Sequence, residues 1–245
     1  MPRVPIAATL VLGFLMGLRH ALDADHLAAV ATILGGREGG MRRAALVGVY
    51  WGLGHALTLG TAGGLLVALR MAVPERLGLA FEFAVSLMLV GLGTAAVVGA
   101  LRQRLHAHEH EHDGVQHAHL HLHVATHRPG AGHGAAHVHP HPLRAAVRPF
   151  LIGSLHGLAG TGALVLLVLT TLPGVLVGLA YIGLFGAGSV AGMALMSLAL
   201  GAPLMIAGRR AAWLYGLFRA AAGIGSLAFG LFLAWAIGME RGFFG

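Results

Sequence analysis

Six long apolar stretches divide this chain of 245 residues, at about residues 5–33, 44–69, 77–100, 150–171, 174–207 and 211–238. Each is longer than the roughly 20 residues that an α-helix needs to cross a bilayer. Only 10% of the residues are charged and 57% are hydrophobic, whereas a soluble domain carries about 25% charged residues. The sequence therefore predicts an all-α integral membrane protein with six transmembrane helices.

The arginines indicate how these helices are oriented. The 16 basic residues are all arginines. Most of them follow the first, third and fifth apolar stretches, and basic residues accumulate on cytoplasmic loops. Both termini are therefore predicted outside the cytoplasm and residues 102–148 inside it, in a multi-pass protein of the cell inner membrane. Arginines that flank spans form no folded basic face, so nucleic acid is not an expected partner. The oligomeric state stays open.

The two halves of the chain share a short repeat. Residues 14–22 and 150–158 have Phe, Leu, Gly, His and Leu in register at an offset of 136, and residues 52–55 and 186–189 share two glycines at an offset of 134. Three spans per half is an odd number, so a duplicated second half enters the membrane with opposite polarity. The prediction is an inverted 3+3 repeat: a first repeat at 1–101, a His-rich, disordered loop at 102–148 and a second repeat at 149–245. Chance similarity between helices rich in Gly and Leu is the alternative.

Five ionisable residues interrupt the first apolar stretch: Arg19, His20, Asp23, Asp25 and His26. Asp and Arg near a helix centre cost roughly 2.5 to 3.5 kcal/mol each on insertion scales, so charge at this depth indicates a function. Imidazoles beside carboxylates suit a borderline divalent cation. On a regular helix His20, Asp23 and His26 share one face, so a site that also uses Asp25 requires an unwound turn. An ion pair between Arg19 and Asp23 would leave Asp25 for the metal.

Two further histidines lie inside other apolar stretches. His55, in the second span, is flanked by small residues that permit close helix approach, and it is the best candidate for a further ligand. His156 takes the place of His20 in the second half, but no carboxylate and no second histidine follow it. It is predicted either to line the metal path or to form a structural hydrogen bond.

Thirteen histidines lie between residues 106 and 141, among Ala, Gly, Pro and Glu. Such a segment cannot build a core, and its composition is typical of disordered, metal-binding tracts. Selectivity requires a fixed coordination geometry. The tract is therefore predicted to collect several metals on the cytoplasmic side, while the helices select among them. A pH-sensing or solubilising role is the alternative.

The string from His20 to His26, preceded by Arg19, resembles the signature of the nickel/cobalt transporter family. Gly54-His55 resembles the second His-bearing segment of that family, and residues 155–160 resemble its urease-accessory-like branch. The resemblance implies a short six-helix member that is no enzyme, holds no cofactor and takes up Ni²⁺, with Co²⁺ as a second substrate. The implied metal ligands are His20, Asp25, His26 and His55, with Asp23 as a further ligand or a partner of one, and His156 as a further candidate.

The residues themselves leave other functions open. The ligand set alone allows zinc equally well. Related exporters also have six spans and a His-rich central loop, so efflux is the nearest alternative to uptake. A membrane accessory protein that delivers metal to nickel-enzyme maturation proteins is another. His20 and Asp25 also fit the spacing of some acyltransferases, but no second catalytic segment accompanies them. The expected partners are the metal ion and the lipid bilayer.

Overall fold

A computed structural model describes residues 5–35, 40–104, 109–112, 115–118, 142–210 and 212–244. Within these ranges the chain forms α-helices, two π-helical turns and two short paired β-strands. The helices are α1 (Ile6–His20), α2 (Ala24–Gly35), α3 (Met41–Thr58), α4 (Gly64–Ala68), α5 (Glu75–Arg104), α6 (Pro142–Thr171), α7 (Val175–Arg210) and α8 (Ala212–Trp235). One π-helical turn, Leu59–Gly63, joins α3 to α4, and another, Ala236–Glu240, follows α8.

Three helices are long and apolar enough to cross a membrane, over Glu75–Leu101, Val175–Pro203 and Gly216–Glu240. Two further spans result if each of two bent helix pairs crosses as a unit. These pairs are Ile6–His20 with Ala24–Gly35, bent by 51°, and Ala146–Thr161 with Ala163–Thr171, bent by 45°. Helices satisfy their backbone polar groups internally, as lipid requires. The protein is thus an α-helical membrane protein with three to five candidate spans in the described residues, which confirms the predicted class.

The predicted second span, at 44–69, does not belong to those five. The chain is helical there, from Met41 through the π-helical turn to Ala68. However, α3 carries Arg42 and Arg43 in its first turn, and the π-helical turn interrupts the regular helix before its apolar end. The predicted count of six spans therefore requires that this segment also crosses the membrane.

The helices pack around a central pair, α3 and α7. Helix α6 packs on α3, α1 packs on α7, and α5 pairs with α8. Helix α2 lies against α8 and α5. The main core cluster joins α2, α3, α5 and α7 through buried side chains such as Val30, Trp51, Leu89 and Met193.

Glycines at the helix contacts occur in reciprocal pairs. A β-carbon added to Gly17 would overlap the carbonyl oxygen of Phe185, and one added to Gly153 would overlap that of Trp51. Gly17 and Gly153 are separated by the repeat offset of 136, and Trp51 and Phe185 by the offset of 134. The contact of α1 with α7 is thus repeated by the contact of α6 with α3. Small residues at both contacts let the backbones approach closely.

The contact between α5 and α8 shows the same reciprocity at an offset of 137. A β-carbon on Gly93 would lie 2.5 Å from the amide nitrogen of Leu227, and one on Gly230 would lie 2.8 Å from that of Val90. Gly93 and Gly230 are separated by the same number of residues as Val90 and Leu227. The repeat motifs of the sequence do not extend to these two helices, so their reciprocal contact adds a third pair of elements to the two that the motifs indicated.

The His-rich connection contains the only described β-structure of the chain. Strands β1 (Glu109–His112) and β2 (Val115–Ala118) pair antiparallel, and His110 lies opposite His117 in the register. Helices α5 and α6 also reach into the predicted loop, to Arg104 and from Pro142. Residues 102–104, 109–112, 115–118 and 142–148 are thus helical or extended, and disorder of the loop as a whole stays a prediction. The rest of the loop lies outside the described residues.

Candidate metal centre

The first apolar stretch is broken in the middle of its polar run. Helix α1 ends at His20, α2 begins at Ala24, and the two axes are bent by 51°. The backbone amide of Asp23 donates to the carbonyl oxygen of His20 over 3.1 Å, which closes a tight turn between the two helices. The unwound turn, one of the two predicted geometries, is therefore the one present.

The break decides which carboxylate faces the histidines. Asp25 lies in the first turn of α2 and reaches the buried cluster, whereas the side chain of Asp23 is 54% exposed. Asp23 instead bonds the ring of His20, with its Oδ2 atom 2.7 Å from Nδ1. The alternative pairing of Asp23 with Arg19 is wrong, because Asp23 takes His20 as its partner and Arg19 is exposed.

A first set of three possible metal ligands consists of His20, His26 and His55. Each histidine offers one ring nitrogen, and these three nitrogens all lie within 4.8 Å of one another. The ring centroids of His20 and His26 are 4.7 Å apart, those of His20 and His55 are 5.1 Å apart, and those of His26 and His55 are 5.5 Å apart. Three imidazoles at this separation can converge on one divalent cation.

A second set consists of Asp25, His26 and His156, and again all of the donor atoms lie within 4.8 Å. Asp25 Oδ2 lies 3.6 Å from His156 Nε2, and the ring centroids of His26 and His156 are 4.7 Å apart. His26 belongs to both sets. The structure thus brings together five of the six predicted site residues and places Asp23 behind the cluster, next to His20.

Backbone contacts hold two of the rings in one orientation. His26 Nδ1 lies 3.2 Å from the carbonyl oxygen of His20, and His156 Nδ1 lies 3.3 Å from that of Ile152. A carbonyl oxygen only accepts, so each Nδ1 carries the proton and donates. The lone pair of each ring is then on Nε2. Partners of this kind fix the tautomer and orientation of metal-binding histidines.

Several buried polar atoms of the cluster have no hydrogen-bond partner among the described residues. They are both ring nitrogens of His55 and Nε2 of His156. His55 is fully buried and His156 is 3% exposed. A buried polar atom without a partner costs roughly 1–3 kcal/mol and requires an explanation. A bound cation would satisfy one ring nitrogen of His55 in the first set, or Nε2 of His156 in the second, so the donor set fits a metal.

Aromatic side chains flank the cluster. The ring of His20 lies 5.4 Å from that of Phe185, and the ring of His156 lies 5.2 Å from that of Trp51. Trp51 was not among the predicted site residues. The sequence contains one signal that Trp51 lies at the site: it precedes His55 by four residues, and residues at that spacing share a helix face.

The chemistry of the cluster suits a borderline divalent cation. Neutral imidazoles and one carboxylate are typical ligands for nickel, cobalt, zinc and copper. The buried site strengthens its electrostatic interaction with a cation, since the local dielectric is low. The donor types alone do not discriminate among these metals.

The amino-acid sequence is similar to proteins of nickel metabolism. It is 32% identical over 244 residues to the urease accessory protein UreH of Bacillus sp. (strain TB-90), a match that covers 100% of this chain and 98% of the relative. It is 35% identical over 72 residues, 29% of the chain and 20% of the relative, to a high-affinity nickel transport protein of Cupriavidus necator. It is also 43% identical over 56 residues, 22% of the chain and 14% of the relative, to the hydrogenase nickel incorporation protein HupN of Bradyrhizobium diazoefficiens. No protein-family model matches the chain, and neither does any solved structure.

Proposed function

Because the chain belongs to the nickel/cobalt transporter family, we propose that it transports Ni²⁺ across the membrane and that the histidine cluster is the site that selects the ion. One observation carries this proposal: four histidines and a carboxylate converge inside apolar helices, with three buried ring nitrogens that lack partners among the described residues. Ionisable residues at such a depth usually mark the path of a substrate. Transport rather than catalysis also agrees with the relatives, which are named as transport and accessory proteins.

The proposed architecture is an inverted repeat of three spans in each half. The reciprocal contacts of Gly17 and Gly153 support it, and so do those of Gly93 and Gly230. In this arrangement residues 41–68 also cross the membrane, as the second span along the chain, and bring the number of spans to six. Inverted repeats place a substrate site near the membrane midplane where the halves meet, and His26 of the first half lies against His156 of the second.

The proposed mechanism is alternating access. Imidazole nitrogens and the Asp25 carboxylate replace the water molecules that surround the cation. A conformational change then opens the site to the other side of the membrane. Asp23 holds the His20 ring so that Nε2 faces the cluster. The arginine distribution favours a cytoplasmic position for the His-rich segment, where it would lower free metal at the exit. Uptake is the proposed direction because the string from Arg19 to His26 resembles the importers of the family.

Nickel is the proposed main substrate, with cobalt as a second. Its assignment rests on the relatives, since one is named for nickel transport and another for nickel incorporation. A link to the maturation of a nickel enzyme is proposed for the same reason: UreH is named as a urease accessory protein. The transporter would supply the metal that such maturation proteins insert.

The test is radioactive nickel flux into sealed vesicles of known orientation that contain the purified protein. Wild type is compared with His20→Ala, and with Ser154→Ala as a matched control. Ser154 lies in α6 and bonds only the Phe150 carbonyl of its own helix over 3.0 Å. We expect saturable inward flux that cobalt inhibits, lost in His20→Ala and kept in Ser154→Ala. Flux only in the export orientation would establish an efflux protein, and nickel binding without flux would favour the accessory protein.

A further inference from the structure

We propose that the two ligand sets are successive stations for a single cation, which passes from one to the other around the His26 ring. The first station is His20, His26 and His55, and the second is Asp25, His26 and His156. This inference rests on the proposed transport function and adds a step within the membrane.

His26 allows only one station to be filled at a time. Its Nδ1 donates to the His20 carbonyl, so Nε2 is the nitrogen that remains for a metal. One imidazole lone pair binds one cation. Two divalent ions in sites that share a ligand would also repel each other strongly in a buried environment. The two sets are therefore alternatives for one ion, and not a two-metal centre.

The two stations connect different helices. The first joins α1, α2 and α3, which all belong to the first half of the chain. The second joins α2 to α6 of the second half. Movement of the ion therefore releases His20 and His55 and engages His156, so the cation changes the contact between the halves as it moves. Differential binding of this kind is what couples a ligand to a conformational change.

Each station also has its own aromatic neighbour. His20 of the first station lies against Phe185, and His156 of the second lies against Trp51. The angles between the ring planes, 40° and 36°, are nearly the same. His20 and His156 are related by the repeat offset of 136, and Trp51 and Phe185 by that of 134. The stations thus lie on the two equivalent sides of the cluster, with His26 between them.

The two stations differ in charge. Asp25 contributes a carboxylate to the second station, whereas the three ligands of the first are imidazoles. Asp23 lies behind His20 and is more than half exposed. The Asp25 carboxylate, whose side chain is only partly exposed, compensates the charge of a divalent cation, so we expect the ion to rest mainly at the second station.

The test uses variants that each remove one station. His55→Gln removes a ligand of the first only, His156→Gln removes a ligand of the second only, and His26→Gln removes the shared one. For each purified protein, equilibrium nickel binding and X-ray absorption at the nickel edge are measured together with flux into vesicles. Ser154→Ala again serves as the control.

The His-rich tract binds nickel in every variant, so occupancy of the stations is the difference from His26→Gln. By that measure we expect both single-station variants to keep one nickel ion per chain in the membrane site and to lose flux by about tenfold or more, as is typical for the loss of groups that tune a metal site. Nickel in His55→Gln should have carboxylate and imidazole ligands, and nickel in His156→Gln should have imidazole ligands without the carboxylate. His26→Gln should lose the nickel ion of the membrane site and the flux, and keep only the nickel that residues 106–141 collect.

Three results would overturn the stations. The first is nickel flux at the wild-type rate in either His55→Gln or His156→Gln. The second is loss of nickel binding in both of these variants that is as complete as in His26→Gln. The third is an X-ray absorption signal that shows the same ligands in both. Retention of the nickel ion that His26→Gln loses shows that a variant is folded. Absence of flux in the wild type would instead contradict the proposed transport, and the ligand signals would still decide whether two stations exist.

Discussion

The first spans of the two halves have the same packing but different chemistry. Gly17 in α1 and Gly153 in α6 make equivalent close contacts with the carbonyl oxygens of α7 and α3. After these contacts the first half breaks its helix at residues 21–23, whereas α6 continues as one helix and bends further along, after Thr161. The comparison indicates that the packing depends on the small residues, and that the metal cluster depends on the break.

The equivalents of Asp25 and His26 make this difference concrete. At the offset of 136 they are Thr161 and Gly162. The Thr161 hydroxyl donates to the Gly157 carbonyl of its own helix over 2.6 Å, so it takes no part in the cluster. The second half therefore contributes only His156 to the ligand sets, and the site is asymmetric although the packing around it is reciprocal.

The largest expected effect is that of His26→Ala, which removes the ligand shared by both sets. We expect nickel flux into vesicles to be abolished, because neither set keeps three ligands. Thr161→Ala is the matched control from the other half and should keep its flux, since its hydroxyl bonds only its own helix. Wild-type flux in His26→Ala would contradict the site assignment, and equal losses in the two variants would contradict the asymmetry.

The next effect concerns the packing that the halves share. A β-carbon at Gly17 or Gly153 would overlap a backbone carbonyl that cannot move aside. Each substitution by Ala should lower the free energy of unfolding in detergent by about 1–3 kcal/mol, as is usual for overpacking. Gly91→Ala, where no atom lies within 4 Å of the added carbon, is the control. A large loss of stability in only one of the two variants would show that the two contacts are not equivalent.

A smaller effect is expected for Asp23→Asn, which keeps the size of the side chain but removes its charge. Asp23 bonds His20 Nδ1 over 2.7 Å and is outside both ligand sets. The nickel affinity should fall by about tenfold, the lower end for partners of metal ligands. Asp25→Asn should cost more, because Asp25 is itself a possible ligand. Isothermal titration with nickel measures both, and the reverse ranking would show that Asp23 binds the metal directly.

The smallest effect is expected from deletion of residues 106–141. A tract that only collects metal should matter when metal is scarce and not when it saturates the site in the membrane. Nickel accumulation by cells should therefore fall only at low external nickel. Loss of flux at saturating nickel would show that the tract belongs to the transport path itself.

Much of the fold could be predicted from composition and motifs. The apolar stretches indicate membrane helices because no other open structure satisfies its backbone in lipid, and the string around His20 identified the family that the full-length similarity to UreH then established. The reciprocity of α5 and α8 could not be predicted, since it depends on contacts of Gly93 and Gly230 across two helices that share no obvious motif.

The sequence also left open whether Asp23 or Asp25 faces the site. Helix periodicity placed Asp23 with the histidines, and only the broken turn after His20 turned Asp23 outward and Asp25 inward. Neither possibility contradicts local propensity, because the residues from 21 to 23 can continue a helix or leave it. The choice depends on packing between α2 and its neighbours α5 and α8, which lie far away in the chain.

The amino-acid sequence by itself determined the membrane class, the candidate ligand types and the family, since these depend on local composition and on short motifs. Tertiary structure alone decided that His26 stands between two ligand sets and that His156 of the other half completes the second. The physical reason is that coordination depends on distances of a few ångströms between side chains from separate helices. Those distances are set by how closely glycine-lined helices approach, and not by any property of one segment.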